Sequence, residues 1–141
     1  MRIILLMILM LSILQLTAET KQVEVMIKGD TLTAKIDIPE NMHLAKQEDF
    51  VYVEADSLAG LKLGDTIWPE GGHKDDLGII NYENEIILKR SLKISDDLRT
   101  TGFTLKIYVG YQMCYDSYCE LPEELEFEVK YKCNKPEIEN N

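Results

Sequence analysis

The stretch Phe103-Thr104-Leu105-Lys106-Ile107-Tyr108-Val109-Gly110-Tyr111-Gln112-Met113, answered by Leu125-Glu126-Phe127-Glu128-Val129-Lys130-Tyr131, decides the fold. Apolar and polar side chains alternate in both runs, the period of a strand with one face in a core and the other in water. In the second run Leu125, Phe127, Val129 and Tyr131 share one face, while Glu124, Glu126, Glu128, Lys130 and Lys132 share the other. Between the runs lie Cys114 and Cys119, with Tyr115-Asp116-Ser117-Tyr118 between them. Four residues joining two such strands read as a hairpin loop. The cysteines then face each other at the loop mouth, where opposed Cα atoms stand about 4.5–5.5 Å apart. That distance lies within the span of a disulfide. A dithiol that closes and opens at a loop tip is a candidate redox centre.

A third cysteine, Cys133, continues the core-facing set at the end of the second strand. It reads as a buried or half-buried structural thiol. It lies 14 residues beyond Cys119 along the returning chain, tens of Å at about 3.3 Å per residue. Three pairings are open, and geometry favours Cys114–Cys119.

The same alternation runs outward through the chain. Val23, Val25 and Ile27, the turn Gly29-Asp30, then Leu32, Ala34, Ile36 and Ile38 predict a hairpin over residues 22–38. Pro39-Glu40-Asn41 breaks it. Phe50 to Ala55 predicts a short strand, and Leu58 to Trp68 a mixed segment bending at Gly60 and Gly64. Pro69 to Asp76 has the composition of a loop. Ile79 to Ile94 predicts one long strand, closed by Ser95-Asp96-Asp97. No segment of useful length carries a helical period. About seven short strands without helices predict an all-β, immunoglobulin-like sandwich, though the widely spaced Cys…Trp…Cys pattern of true immunoglobulin domains is absent.

The N-terminus sets the compartment. Met1-Arg2 is followed by an apolar run from Ile3 to Leu14, then Leu16-Thr17-Ala18 and polar Glu19-Thr20-Lys21. This is the layout of a signal peptide, with an apolar core short for a membrane span; an uncleaved anchor is the alternative. The expected organisation is a signal peptide at 1–18, one domain at 19–133 and a polar tail at 134–141. Export favours persistent disulfides. Removing residues 1–18 takes away Arg2 and no acid from 15 basic and 25 acidic side chains, so the net charge moves from −10 to −11. An acidic total argues against nucleic acid and against anionic membrane surfaces; solubility alone also accounts for it.

With these residues in view, the chain resembles the N-terminal periplasmic domain of the thiol:disulfide interchange protein DsbD, an immunoglobulin-like redox domain. Ile38-Pro39-Glu40-Asn41-Met42-His43-Leu44 resembles the family's Ile-Pro-Glu-Gly segment, and Thr66-Ile67-Trp68-Pro69 its tryptophan turn. Tyr82 resembles the tyrosine that follows the family's cap. Tyr111-Gln112-x-Cys114…Cys119-x-x-Pro122 resembles the redox motif and is the most specific of these. The resemblance covers nearly the whole mature chain. It departs in having four residues between the cysteines where members often have five, Ala45 in place of a tyrosine, and Leu77-Gly78 in place of an aromatic lid. The interval from Asp75 to Tyr82 is also shorter.

The resemblance implies electron relay between a membrane thiol donor and periplasmic thioredoxin-fold oxidoreductases. It implies that Cys119 forms the mixed disulfide and Cys114 resolves it. Asp75, Asp76 and Leu77 would supply a cap loop, and His43, Tyr111, Gln112 and Pro122 the pocket around the cysteines. Because no membrane or thioredoxin domain follows, the donor is expected to be a separate protein; loss of the relay role is the alternative. The domain is expected to be a monomer without a cofactor. Asp116, Glu120, Glu123 and Glu124 surround Cys119 in sequence with no basic residue among them. Carboxylates disfavour a thiolate, so a dithiol that is sluggish until a partner docks is expected. His43 and His73 are the only histidines, and with Asp75 and Asp76 they lack the short ligand spacing of a metal site. Two other classes compete: an exported binding sandwich whose disulfide is a staple worth about 2 kcal/mol, and an assembly subunit that adds a strand to a neighbour.

Overall fold

Residues 22–132 are described by the computed structural model. The expected signal peptide, Cys133 and the polar tail lie outside them. In chain order the strands are β1 (Val23–Lys28), β2 (Thr31–Asp37), β3 (Leu44–Ala45), β4 (Tyr52–Ala55), β5 (Leu61–Ile67), β6 (His73–Lys74), β7 (Ile80–Tyr82), β8 (Glu85–Ile94), β9 (Phe103–Tyr111) and β10 (Glu123–Tyr131). One short helix, α1 (Asp96–Thr101), lies between β8 and β9. The strands form a four-stranded sheet in the order β1-β2-β8-β5, a three-stranded sheet β10-β9-β4, and a small sheet β3-β7-β6. The first two, seven strands together, are the immunoglobulin-like sandwich.

The alternation explains the packing. Leu32, Ala34 and Ile36 of β2, and Ile86, Leu88 and Leu92 of β8, point inward from one sheet. Leu105, Ile107 and Val109 of β9, with Val53 of β4, point inward from the other; all ten are at most 3 % exposed. Burying a side chain of this size is worth about 1.5–3 kcal/mol. The β1–β2 hairpin turns at Gly29-Asp30, where Gly29 takes φ 57°. On β10 the expected inward set, Leu125 to Tyr131, is half-buried, as suits the edge strand of a sheet.

Three expectations change. The single strand over Ile79–Ile94 divides at Glu83-Asn84, where Asn84 takes a left-handed φ of 66°, which Asn tolerates. The Asn84 carbonyl accepts from Ile38 N–H at 2.8 Å. The chain therefore leaves the small sheet at β7 and enters the sandwich as β8. The expected loop over Pro69 to Asp76 contains β6. And Ser95-Asp96-Asp97 starts a helix as well as ending a strand. Ser95 caps it, two acids fill its first turn, and Gly102 N–H closes it on Leu98 C=O at 2.9 Å. Six residues are too few for a helical period to show.

Arg90 ties the two sheets. Its Nε donates to Gly64 C=O and its Nη1 to Val53 C=O, both at 2.7 Å, and it pairs with Glu54 at 2.8 Å. The Gly64 carbonyl lies where the β5–β8 register slips between Leu63 and Thr66, so a bulge supplies the acceptor.

Candidate functional site

Tyr111 at the end of β9 stands opposite Glu123 at the start of β10. Past that pair the ladder shifts by one residue. Glu120 N–H donates to Met113 C=O at 2.8 Å and Tyr115 N–H to Tyr118 C=O at 2.7 Å. Gln112 alone therefore faces Leu121-Pro122, a bulge on the returning side. Pro122 has no N–H to pair, and Leu121 is 86 % exposed. Gln112 Nε2 pins the bulge by donating to Glu120 C=O at 2.9 Å. Behind it Tyr111 and Met113 are each 3 % exposed, so the hairpin is rooted in the core. Tyr111 Oη donates to Glu123 at 2.6 Å. Burial first, and then the Glu123 carboxylate, push the Tyr111 phenol far above its usual value.

Cys114 and Cys119 are joined by a disulfide with Cα atoms 3.9 Å apart, closer than the spacing expected from ordinary opposed residues. The flanking bonds make this a non-hydrogen-bonded pair, the narrower kind. The other side of Cys114 is paired with His43, through His43 N–H to Cys114 C=O at 2.9 Å and Cys114 N–H to His43 C=O at 3.0 Å. Cys114 is thus held between two chains and is 6 % exposed, whereas Cys119 lies exposed on the outer side. The Tyr115 and Tyr118 rings stack at 4.8 Å over the loop.

A groove of about 420 Å³ opens beside the pair. The hairpin from Cys114 to Cys119 forms one wall. His43, His73, Asp75, Asn81 and Glu83, on or next to the small sheet, form the other. Asp75 organises a tight turn there. Its Oδ1 accepts from Leu77 N–H and Ile79 N–H, both at 2.9 Å, and its Oδ2 from Asn81 Nδ2 at 3.3 Å. The Ile79 bond, with lesser ones from Asn81 and Leu77, holds the Asp75 carboxyl below its usual range. Leu77 at the tip of this turn is 85 % exposed, and Asp76 beside it is exposed too. Under the small sheet, Trp68 stacks on Tyr82 at 6.0 Å with Lys46 Nζ 5.7 Å from its ring centre. Trp68 Nε1 is buried without a hydrogen-bond partner among the described residues.

Of the residues singled out from sequence, Cys114, Cys119, His43, His73, Asp75 and Asp116 meet at the groove. Tyr111, Gln112 and Pro122 shape the hairpin from behind. Asp76 and Leu77 lie further out on the turn. Sequence reasoning missed Asn81, 5 % exposed and polar, although a lone Asn in Ile79-Ile80-Asn81-Tyr82 was a visible signal. It also missed Glu83, which looked like one more exposed residue of a long strand. Among the described residues no cluster of three His, Cys, Asp or Glu has the geometry to hold a metal ion, and no helix is long and apolar enough to cross a membrane.

Residues 13–130 match the sequence model of the family described as thiol:disulfide interchange protein DsbD, N-terminal. Among solved structures, the chain is similar to the Neisseria meningitidis DsbD N-terminal domain in the reduced form. The identity is 17 %, the TM-score 0.60, and the match covers 82 % of this chain and 90 % of that one. It is also similar to a chain from the complex between the DsbD N-terminal and PilB N-terminal domains of Neisseria meningitidis. There the identity is 15 %, the TM-score 0.56, and the coverage 86 % and 95 %. At these identities the likeness is one of fold. No curated protein matches.

Proposed function

The chain belongs to the family of the N-terminal domain of the thiol:disulfide interchange protein DsbD, and on that premise we propose that it is an exported electron relay. In this reading it takes electrons from a membrane thiol donor and passes them to periplasmic thioredoxin-fold oxidoreductases. In the dithiol form, the Cys119 thiolate attacks a sulfur of the partner's disulfide. That bond breaks, its electron pair leaves on the partner's second sulfur, which takes up a proton, and a mixed disulfide forms at Cys119. The Cys114 thiolate then attacks Cys119 Sγ. The partner leaves as a dithiol and the Cys114–Cys119 disulfide remains, ready for two electrons from the donor. The turn from Asp75 to Ile79 forms the cap rim that limits approach along the groove.

The observation that carries this reading is the asymmetry of the pair: Cys119 exposed on an open edge, Cys114 buried between His43 and the hairpin. A staple needs no such difference, whereas exchange needs one sulfur that a partner reaches and one that it does not. That a relative was solved with a second protein domain supports docking of a partner here. Titration of the disulfide against glutathione and dithiothreitol couples tests it. The proposal expects a potential above about −300 mV, the region of exchange-active pairs. A lower one assigns the pair a structural role.

A further inference from the structure

The net charge of −10 is a sum over two sheets that carry different charge. The outer face of β10-β9-β4 presents Glu54, Glu124, Glu126 and Glu128 beside Lys106 and Lys130, with Lys106 paired to Glu126 and Glu54 paired to Arg90. The outer face of β1-β2-β8-β5 presents Lys28, Lys62, Lys89 and Lys93, all exposed and none in an ion pair among the described residues.

The four lysines surround a polar floor. Lys28 pairs with Thr31, and Thr31 pairs with Ser91, in one row across β1, β2 and β8. Lys89 and Lys93 lie two residues to either side of Ser91, about 7 Å away along the strand. Lys62 pairs directly with Lys93. Like charges set opposite each other destabilise a sheet, so this pair is costly unless an anion sits over it. Gly64 lies against Ser91 so closely that a Cβ there would come 2.1 Å from Ser91 Oγ, which keeps the floor low. On the next row, Met26-Thr33-Lys89-Ile67, the end residues Met26 and Ile67 are 51 % and 59 % exposed. The carboxylates of this face lie mostly toward the cysteine end. Asp37 and Glu85 hold Lys35 there at 3.2 and 3.4 Å, and Glu24 shares its row. Near the ring, Asp65 lies in the β5 bulge, and Asp30, next to Thr31, is paired with Arg99 at 2.7 Å.

We propose that this face docks on an anionic phospholipid surface. The occupant follows from charge: exposed ammonium groups clustered at one end of a sheet face, unpaired among the described residues, complement a layer of phosphates, and Met26 and Ile67 flank the ring where they would meet the headgroup boundary. The acids of the opposite sheet do not forbid it. They face solvent on the far side of a sandwich whose sheets are about 10 Å apart, where water and salt screen them. The lysine ring is at the pole away from His43 and Cys114, because β2 runs from Thr31 at the ring to Asp37 at the cysteine end. Lying on this face, the protein keeps Cys119 uncovered. The proposal stands independently of the exchange reading.

The test is co-sedimentation of residues 19–141 with vesicles of phosphatidylcholine alone and with about a third phosphatidylglycerol, in low and high salt. Binding is expected only with phosphatidylglycerol, and is lost in high salt. Each lysine near such a surface contributes roughly a fivefold factor, so K62E/K89E/K93E is expected to lower partition on the order of a hundredfold or more. The charge-matched variant K106E/K130E/K132E on the other sheet is expected to bind nearly as the parent does. K62Q/K93Q, which removes the opposed charges without adding acids, is expected to weaken binding while leaving thermal stability equal or higher. No binding by the parent, or equal loss in both triple variants, overturns the proposal. A concentration-dependent rise in solution mass that K62E/K89E/K93E abolishes, without vesicle binding, assigns the face to a second copy of the chain and also overturns it.

Discussion

Single residues at the hairpin do work that their neighbours in sequence do not reveal. Gly110 pairs with Tyr52 on one side and Glu124 on the other, and the Tyr52 hydroxyl reaches over it to Glu124. A Cβ at Gly110 would come 2.2 Å from the Tyr52 ring. Gly110→Ala is therefore expected to cost about 1–3 kcal/mol, read by urea denaturation, and Tyr52→Ala in the same chain should recover part of it. In the sequence Gly110 is only an interruption of an alternating run, because the ring that requires it arrives from a strand 58 residues away. Tyr111 yields a pH prediction. Its folded pKa lies above its unfolded value near 10, so its contribution is complete below pH 10. Above that, the unfolded chain ionises while the folded one does not, and stability is lost as pH rises. Parent protein is expected to lose stability between about pH 10 and 12 more steeply than Tyr111→Phe, as followed by circular dichroism.

At the scale of elements, the small sheet is what the sequence concealed. Strands of two and three residues carry no period to read, and β7 was hidden because Ile79 to Ile94 is apolar on both sides of the Asn84 turn. The cysteine hairpin, by contrast, was legible because two nine-residue strands and a turn of fixed length leave one register. Asp75 gathers the turn that faces the groove. Asp75→Ala removes the acceptor of two backbone N–H groups and of Asn81. It is expected to speed amide exchange at Leu77 and Ile79, and to raise the rate at which dithiothreitol reduces the disulfide by a few-fold. An unchanged reduction rate with faster amide exchange would separate the turn from the cap role. Beneath this sheet Trp68 buries an N–H that no group among the described residues accepts. Trp68→Phe trades that cost, about 1–3 kcal/mol for an unsatisfied buried group, against lost apolar contact. It is expected to change stability by less than about 1 kcal/mol, measured by thermal melting.

Across the whole molecule, the sandwich positions one reactive end. β9 and β10 carry the cysteines beyond the core, and the chain after β2 brings His43 back to lock Cys114 in place. The two hairpins, β1–β2 and β9–β10, and the faces they turn inward were readable from alternation. The joining of the sheets by Arg90 was not, since a charged residue in a strand reads as solvent-facing until its partners Gly64, Val53 and Glu54 are seen around it. Net charge is silent for a similar reason: a total does not show that Lys28, Lys62, Lys89 and Lys93 gather at one end of one sheet. The central claim is that Cys119 meets partners and Cys114 resolves the intermediate. It is tested most directly by incubating reduced Cys114→Ala and Cys119→Ala separately with an oxidised thioredoxin-fold protein and resolving the products on a non-reducing gel. The account predicts a stable mixed disulfide with Cys114→Ala and almost none with Cys119→Ala. Equal trapping by both variants, or by neither, contradicts it.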